Sequence, residues 1–219
     1  MTPTRNLPLF SESENAALSE DAGPFRADQS SRDSAQTSTE IDIASEFLLT
    51  TLVRKESIRE VGKISFMTAR AWRASVKNIQ IKSLRILKKA LPPKFVEAAG
   101  RDVACVARKI HGDHAFNLVV PVPCGHSGRP DCLSVRMAEV VAREINAGFS
   151  NVLEGRLMKG SSHPMQSQNF ARPRLKAVVR GKVLVIDDVC TTGRHISMSI
   201  AALREAGADA FGLAWIGSR

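Results

Sequence analysis

The chain has 219 residues, 43% of them hydrophobic, and its 31 Lys and Arg residues against 22 acidic residues give a formal net charge of +9 at pH 7. No apolar run approaches the ~18 residues that a membrane helix needs, and no apolar segment follows a basic start as in a secretory signal. The four cysteines lack the close pairs of a disulfide framework or a zinc ribbon, so we expect reduced thiols, no metal site and a cytoplasmic location.

Residues 1–40 are rich in Ser and acidic residues and show no hydrophobic period. Between residues 1 and 53, three Lys or Arg residues stand against nine acidic residues. A segment of this kind cannot bury enough apolar surface to offset the entropy lost on folding. The composition therefore predicts a disordered acidic and Ser-rich tail over residues 1–40.

Residues 41–94 have the opposite charge balance, because residues 54–94 contain twelve Lys or Arg residues and two acidic residues. Apolar residues in this region recur at helical spacing, and a Pro-Pro pair at 92–93 ends the pattern. The apolar positions are Ile41, Ala44, Leu48, Leu52, Ile58, Val61, Phe66, Trp72, Ile79, Leu84, Leu87 and Leu91. The pattern predicts a basic helical extension, as a hairpin or a small bundle.

A basic helical surface can bind the phosphates of a nucleic acid, an acidic protein partner or an anionic membrane surface. It can equally be a solvated face that binds nothing. We expect the contacts, if the region binds a nucleic acid or an acidic protein, to come from Lys82, Arg85, Lys88 and Lys89.

Residues 95–219 alternate between strand and helix patterns. Aliphatic runs predict strands at 117–122, 151–157, 183–186 and 210–216, and amphipathic periods predict helices at 133–145 and 194–206. Strands that alternate with helices favour a mostly parallel sheet with helices on both faces. This region is therefore predicted to be a doubly wound α/β domain.

The stretch VLVIDDVCTTG at 183–193 contains most of the functional information. It places two adjacent carboxylates, Asp187 and Asp188, after a buried strand and two hydroxyls and a glycine before a helix. In open α/β sheets ligands bind beyond the carboxyl ends of the strands, where backbone N–H groups of the next helix attract anions. Carboxylates can accept hydrogen bonds from vicinal hydroxyls, whereas the hydroxyl and glycine turn can surround a phosphate. The chemistry predicted is binding of a phosphorylated sugar.

This stretch resembles the phosphoribosyl diphosphate (PRPP) motif of the type I phosphoribosyltransferases. Within that family the chain looks nearest to the ComF-like and amidophosphoribosyltransferase-like branch, which has a Pro-x-Pro after its first core strand, as at 121–123 here. The resemblance implies the type I fold for residues 95–219 and a 5′-phosphate site made by Cys190, Thr191, Thr192, Gly193, Arg194 and His195. Two positions depart from the usual motif: Cys190 replaces an aliphatic residue, and His195 replaces a Ser or Thr.

The same resemblance implies two further loops. The loop after the first core strand would bind pyrophosphate through Pro123, Cys124, Gly125, His126 and Arg129. The polar, basic segment 158–178 corresponds to a flap that closes over PRPP, with Lys159, Gln166 and Arg172 as its matching residues. A simple turn and a solvated surface loop are the alternatives for these two segments.

The implied reaction transfers ribose 5-phosphate from PRPP to a nitrogen acceptor with release of pyrophosphate. Asp187 and Asp188 would orient the ribose and stabilise its developing positive charge, and Mg²⁺ would be held mainly by PRPP. The acceptor cannot be read from the sequence, which has no Tyr and few aromatic residues near the motif. We expect Trp215 to be a core residue rather than a stacking platform.

Two other functions are compatible with the sequence. The fold can serve as a PRPP or nucleotide sensor without turnover, or the protein can be an effector subunit that associates with a nucleic acid through its basic helices. A homodimer is the expected default for its oligomeric state.

Overall fold

The computed structural model describes residues 26–124, 131–155 and 172–218, with side chains described from residue 37 onwards. The chain divides into two compact units, residues 1–37 and residues 38–219. In the first unit the described part is the beginning of a helix. The second unit contains the rest of that helix and all the elements below.

Five α-helices and eight β-strands are present in the described ranges. The helices are α1 (Arg26–Thr51), α2 (Lys77–Ala90), α3 (Pro93–His111), α4 (Leu133–Glu144) and α5 (Arg194–Glu205), with a 3₁₀ turn at Ala74–Val76 before α2. The strands are β1 (Val53–Val61), β2 (Ile64–Ala71), β3 (Leu118–Pro121), β4 (Gly148–Phe149), β5 (Leu153–Glu154), β6 (Arg174–Leu175), β7 (Gly181–Cys190) and β8 (Ala208–Gly217).

Six of these strands form one sheet in the order β1-β2-β8-β7-β3-β4. The β1–β2 pair is antiparallel, and the other four pairs in this sheet are parallel. Strands β5 and β6 form a separate antiparallel pair. The predicted α/β class with a mostly parallel sheet is confirmed, and the predicted strands and helices between residues 117 and 216 match elements of the structure, although the strand expected at 151–157 is reduced to β5.

Helices cover both faces of the sheet. On β7, Leu184 and Ile186 join one hydrophobic cluster with residues of α1 to α4, and Val183 and Val185 join a second cluster with residues of α5. Successive side chains of a strand point to opposite faces, so the two clusters lie on opposite sides of the sheet. The continuous aliphatic run of β7 therefore reflects burial on both faces.

The prediction of a helix over residues 54–71 is wrong, because these residues form the β1–β2 hairpin at the edge of the sheet. Gly62 has a φ of +61° at the first position of a two-residue turn, a geometry typical of tight hairpins. Strand β2 then pairs with β8, which buries Phe66 and Ala69. Apolar residues at 58, 61 and 66 suggested a helical stripe. Because β2 pairs with β8, and β1 pairs with β2, these residues form strands instead.

Elsewhere in the N-terminal part, α1 and α2 agree with the helices predicted there. Helix α1 begins at Arg26, inside the segment predicted to be disordered, and no Gly or Pro interrupts the sequence from 26 to 51. Its C-terminal half is anchored by Ala44 and Leu48, which are buried in the first cluster. Residues 1–25, which make up most of the predicted tail, lie outside the described residues.

Candidate functional site

The predicted acid pair lies within strand β7, close to its C-terminal end, rather than after the strand. Strand β7 continues past Ile186 through both aspartates to Cys190, because it stays paired with β8 up to the Cys190 and Gly217 pair. Since Asp187 and Asp188 are successive strand residues, their side chains leave opposite faces of the strand. The backbone N–H of Asp188 donates a hydrogen bond to Oδ1 of Asp187 at 2.9 Å.

The two carboxyl groups lie in a poorly solvated place. Asp188 is 7% exposed, and Asp187 is half-buried. Burial and, after it, the neighbouring charge of Asp188 raise the pKa of Asp187 to about 8, although Lys88 opposes them. A buried pair of like charges retains a proton unless a cation compensates it.

A cation that compensates part of this negative charge comes from α2. The Nζ atom of Lys88 lies 2.7 Å from Oδ2 of Asp188. Burial lowers the pKa of Lys88, but its attraction to Asp188, the hydrogen bond between them and the charge of Asp187 outweigh burial, so the net pKa is raised. Sequence reasoning assigned Lys88 to a partner surface, and the structure instead brings it into the acid pair.

The predicted phosphate loop connects β7 to α5. Thr191 and Thr192 are exposed, and the N–H of Arg194 lies 3.4 Å from Oγ1 of Thr192. Gly193 has a φ of +78°, which L side chains rarely adopt, and it immediately precedes the first residue of α5. The loop therefore presents two hydroxyls beside the N-terminal N–H groups of a 12-residue helix, an arrangement suited to an anion.

Two members of the predicted phosphate site face the protein more than the solvent. Cys190 is 1% exposed, and burial raises the pKa of its thiol to about 11. His195 is half-buried, and its Nε2 atom is shielded from solvent. Arg194 is exposed. The described geometry thus leaves the two threonines and Arg194 as the accessible part of this loop.

The β1–β2 hairpin supports the phosphate loop from behind, a role that sequence reasoning missed. A Cβ on Gly193 would lie 2.5 Å from Cζ of Phe66 and 3.0 Å from Cγ2 of Val61, so the hairpin and the loop are in close contact. Nη1 of Arg59 donates to the carbonyl of Ser218 at 2.7 Å and to that of Cys190 at 3.4 Å. The two hydrogen bonds of Arg59 join residues 131 and 159 positions apart, for which no local pattern exists.

The predicted pyrophosphate loop begins beside the acid pair. Pro123 and Cys124 follow β3, whose continuation is held to β7 by the N–H of Val122 on the carbonyl of Ile186 at 2.8 Å. The Cys124 thiol is close enough to contribute to the pKa of both Asp187 and Lys88. Gly125, His126 and Arg129, the other predicted members, lie outside the described residues.

Among the predicted flap residues, Arg172 lies in the described ranges, and the structure does not bring it to the acid pair or the phosphate loop. Arg172 forms an ion pair with Glu205, the last residue of α5, whereas the phosphate loop adjoins the first residue of that helix. Twelve helical residues span about 18 Å, so Arg172 lies at the end of α5 away from the loop. Lys159 and Gln166 lie outside the described residues.

Of the predicted partner residues on α2, Lys82, Arg85 and Lys89 are exposed. The described residues contain no group of three or more His, Cys, Asp or Glu side chains placed to hold a metal ion. Within the same ranges, no helix is both long and apolar enough to cross a membrane. Trp215 is 1% exposed and packs in the core, as predicted from the sequence.

No protein-family model matches the chain, and no curated protein is significantly similar to it. Among solved structures, it aligns with UMP synthase from Leishmania donovani at 17% identity and a TM-score of 0.41, over 84% of this chain and 32% of that one. An adenine phosphoribosyltransferase aligns at 11% identity and a TM-score of 0.47, over 80% of this chain and 89% of that one. Orotate phosphoribosyltransferase from Aeropyrum pernix aligns at 17% identity and a TM-score of 0.34, over 79% and 80% of the two chains. The chain thus spans about a third of the length of the UMP synthase.

Proposed function

We propose that the protein is a phosphoribosyltransferase that binds PRPP and transfers ribose 5-phosphate to a nitrogen acceptor with release of pyrophosphate. One observation carries the proposal: the buried acid pair, the hydroxyl-rich turn and the start of α5 follow one another at the carboxyl end of a central parallel strand. A phosphorylated ribose needs acceptors for its hydroxyls and donors for its phosphate, and this turn supplies both within eight residues, from Asp187 to Arg194.

The sugar half of the site is the acid pair. An ionised carboxylate only accepts hydrogen bonds, so Asp187 and Asp188 suit the two vicinal hydroxyls of a ribose. Their negative charge also stabilises the positive charge that develops on the ribose as the pyrophosphate leaves. Both effects are strengthened by burial, because the local dielectric constant is lower than that of water.

The phosphate half of the site is the turn before α5. The exposed hydroxyls of Thr191 and Thr192 and the N–H groups at the helix start can donate to the 5′-phosphate oxygens. Gly193 allows the backbone to turn tightly here because its φ is positive. The exposed guanidinium of Arg194 adds a charge that can pair with the same phosphate.

Mg²⁺ fits this site through the substrate rather than through a protein cage. Magnesium keeps several waters and is usually bound by substrate phosphates with one or two carboxylates nearby, which matches an acid pair without a larger ligand cluster in the described residues. When bound, the ion neutralises charge on the leaving pyrophosphate. The protein contributes orientation of the ribose and electrostatic stabilisation.

The finer assignments belong to the same proposal. The Pro-x-Pro at 121–123 supports placement in the ComF-like branch, and reduced thiols at all four cysteines support a cytoplasmic location. The acceptor is left unassigned. The exposed Lys82, Arg85 and Lys89 on α2 support the alternative of a regulator or effector subunit that binds PRPP without turnover and contacts a nucleic acid.

The first experiment measures the thermal unfolding midpoint with and without Mg²⁺ and PRPP. Ligand at one hundred times its dissociation constant should stabilise the wild type by about 2.7 kcal/mol. The double variant Asp187→Asn/Asp188→Asn should lose this stabilisation, whereas Asp209→Asn, an exposed acid at the other end of the sheet, should keep it. No stabilisation of a folded wild type would contradict the proposal.

Turnover separates the enzyme from the sensor. Once binding is established, nitrogen acceptors are screened by pyrophosphate release from PRPP. Release that depends on both aspartates supports the enzyme, and binding with no release over the whole acceptor set supports the non-catalytic regulator.

A further inference from the structure

The position of Lys88 is fixed by the packing of α2 against the hydrophobic core. It lies in the last turn of α2, directly after Leu87, which is fully buried, and four residues after Leu84, which is 6% exposed. Leu91 ends the helix in the left-handed conformation, and its N–H donates to the carbonyl of Leu87 at 2.7 Å. The buried leucines fix the rotation of α2, and this rotation directs Lys88 to the acid pair.

The surroundings of Lys88 are mostly anionic. The titratable groups that face it are Asp187 and Asp188 from β7 and the Cys124 thiol after β3. The side chain of Lys88 is 39% exposed, whereas that of Asp188 is 10% exposed. The ammonium therefore reaches from the solvent side towards the two carboxyl groups, where it forms an ion pair with Asp188 and attracts negative charge on Asp187.

Resting on the function proposed above, we propose that Lys88 is a positioning residue of the ribose site: its ammonium holds the Asp188 carboxylate by an ion pair and favours negative charge on the acid pair, which the pair needs in order to accept ribose hydroxyls. Lys88 acts through Asp188 and Asp187 and does not itself need to touch the reacting atoms. The last turn of α2 thereby becomes a wall of the substrate site, and Lys88 leaves the set of residues predicted to contact a partner.

This role has a specific pH signature. Lys88 opposes the effect of burial on the pKa of Asp187, so removing the ammonium extends to higher pH the range in which Asp187 retains its proton. A protonated carboxyl has lost part of its capacity to accept hydrogen bonds from the sugar. A variant without the ammonium should then bind PRPP more weakly than the wild type at neutral pH and should recover its affinity as the pH rises. Loss of a merely structural contact would weaken binding equally at every pH.

The experiment is a pH series of the dissociation constant of Mg²⁺ and PRPP, measured by calorimetry on the full chain. Lys88→Met should bind about tenfold more weakly at neutral pH, and the pH at which half the affinity is lost should move up by about one unit, since one pKa unit corresponds to a tenfold change. Lys88→Arg keeps the charge and should restore the wild-type profile within about threefold.

Lys89→Met is the matched control. It removes the same charge from the next residue of the same helix turn, but Lys89 lines a different cleft, of about 760 Å³, together with Val96 and Arg136. Its pH profile should coincide with that of the wild type. A thermal unfolding midpoint measured without ligand verifies that each variant is folded.

The outcomes separate this inference from the proposed function. If the wild type binds and Lys88→Met shows an unchanged pH profile, a parallel loss at all pH values or tighter binding at neutral pH, the role of Lys88 is contradicted and the proposed function stands. If the folded wild type does not bind PRPP at any pH, the proposed function fails, and the inference fails with it.

Discussion

Two carboxylate sites in this protein are bound to cations in different ways. The carboxylate of Asp102, on α3, accepts three hydrogen bonds. Nε and Nη2 of Arg70 donate to it at 2.6 and 2.5 Å, and Nε1 of Trp215 donates at 2.9 Å. The acid pair on β7 contains two carboxyl groups and shares one ammonium, that of Lys88. Three donors nearly saturate the Asp102 carboxylate, whereas the two carboxyl groups of the acid pair receive one ammonium and one backbone N–H in the described residues, which leaves them acceptor capacity for a ligand. The two sites therefore differ in the number of donors that each carboxyl group receives.

The largest expected effect comes from breaking the saturated site. Asp102→Ala leaves the guanidinium of Arg70, whose side chain is 11% exposed, without its bidentate partner. Removing one member of a largely buried pair should reduce the free energy of unfolding by about 3 kcal/mol, measured by urea titration. Affinity for Mg²⁺ and PRPP should not change in the folded fraction, and a change in affinity would contradict the structural role given to Asp102.

The second prediction concerns the backbone of the turn between β7 and α5. Gly193→Ala adds a Cβ 2.5 Å from Cζ of Phe66 at a φ of +78°. Positive φ and overpacking together should cost about 2 to 3 kcal/mol of unfolding free energy and should also weaken ligand binding.

Gly207→Ala is the matched control for that variant, because Gly207 has a φ of +93° but no atom within 4 Å of an added Cβ. It should cost about 1 kcal/mol, from the backbone conformation alone, and leave binding intact. Equal losses in the two variants would show that the hairpin does not press on the phosphate loop.

The last prediction concerns the pH dependence of the unliganded acid pair. Burial raises the folded-state pKa of Asp187 from 3.8 to about 8, so the folded protein holds an extra proton relative to the unfolded chain between these values. Stability from this group therefore falls as the pH rises from about 4 to about 8.

Asp187→Asn removes this group and should flatten that part of the stability profile, as measured by urea unfolding at several pH values. Asp102→Asn serves as the control from the saturated site. A profile that keeps the same slope in Asp187→Asn would assign the pH dependence to other groups.

Much of the parallel part of the sheet was predictable because its patterns are local. The aliphatic run of β7, the helical period of α5 and the glycine between them all lie within 25 consecutive residues, from Gly181 to Glu205. The β1–β2 hairpin was not predicted, although its Val-Gly-Lys-Ile turn is a hairpin pattern, because apolar residues at 58, 61 and 66 also fit a helical period. The position of Arg172 along the chain suggested that it belongs to a flap over PRPP. In the structure it forms an ion pair with Glu205, at the end of α5 away from the phosphate loop.

By itself, the sequence determined the mostly parallel α/β class, the elements β3, α4, β7, α5 and β8, and the order of acids, hydroxyls and glycine at the end of β7, because strand and helix periods and turn residues act over a few positions. Only the tertiary structure decided that Arg59 and Phe66 support the phosphate loop and that Lys88 balances Asp188. These contacts join residues 100 or more positions apart. They depend on the order of strands in the sheet and on the rotation of α2 against the core, which arise from packing of the whole unit rather than from any local pattern.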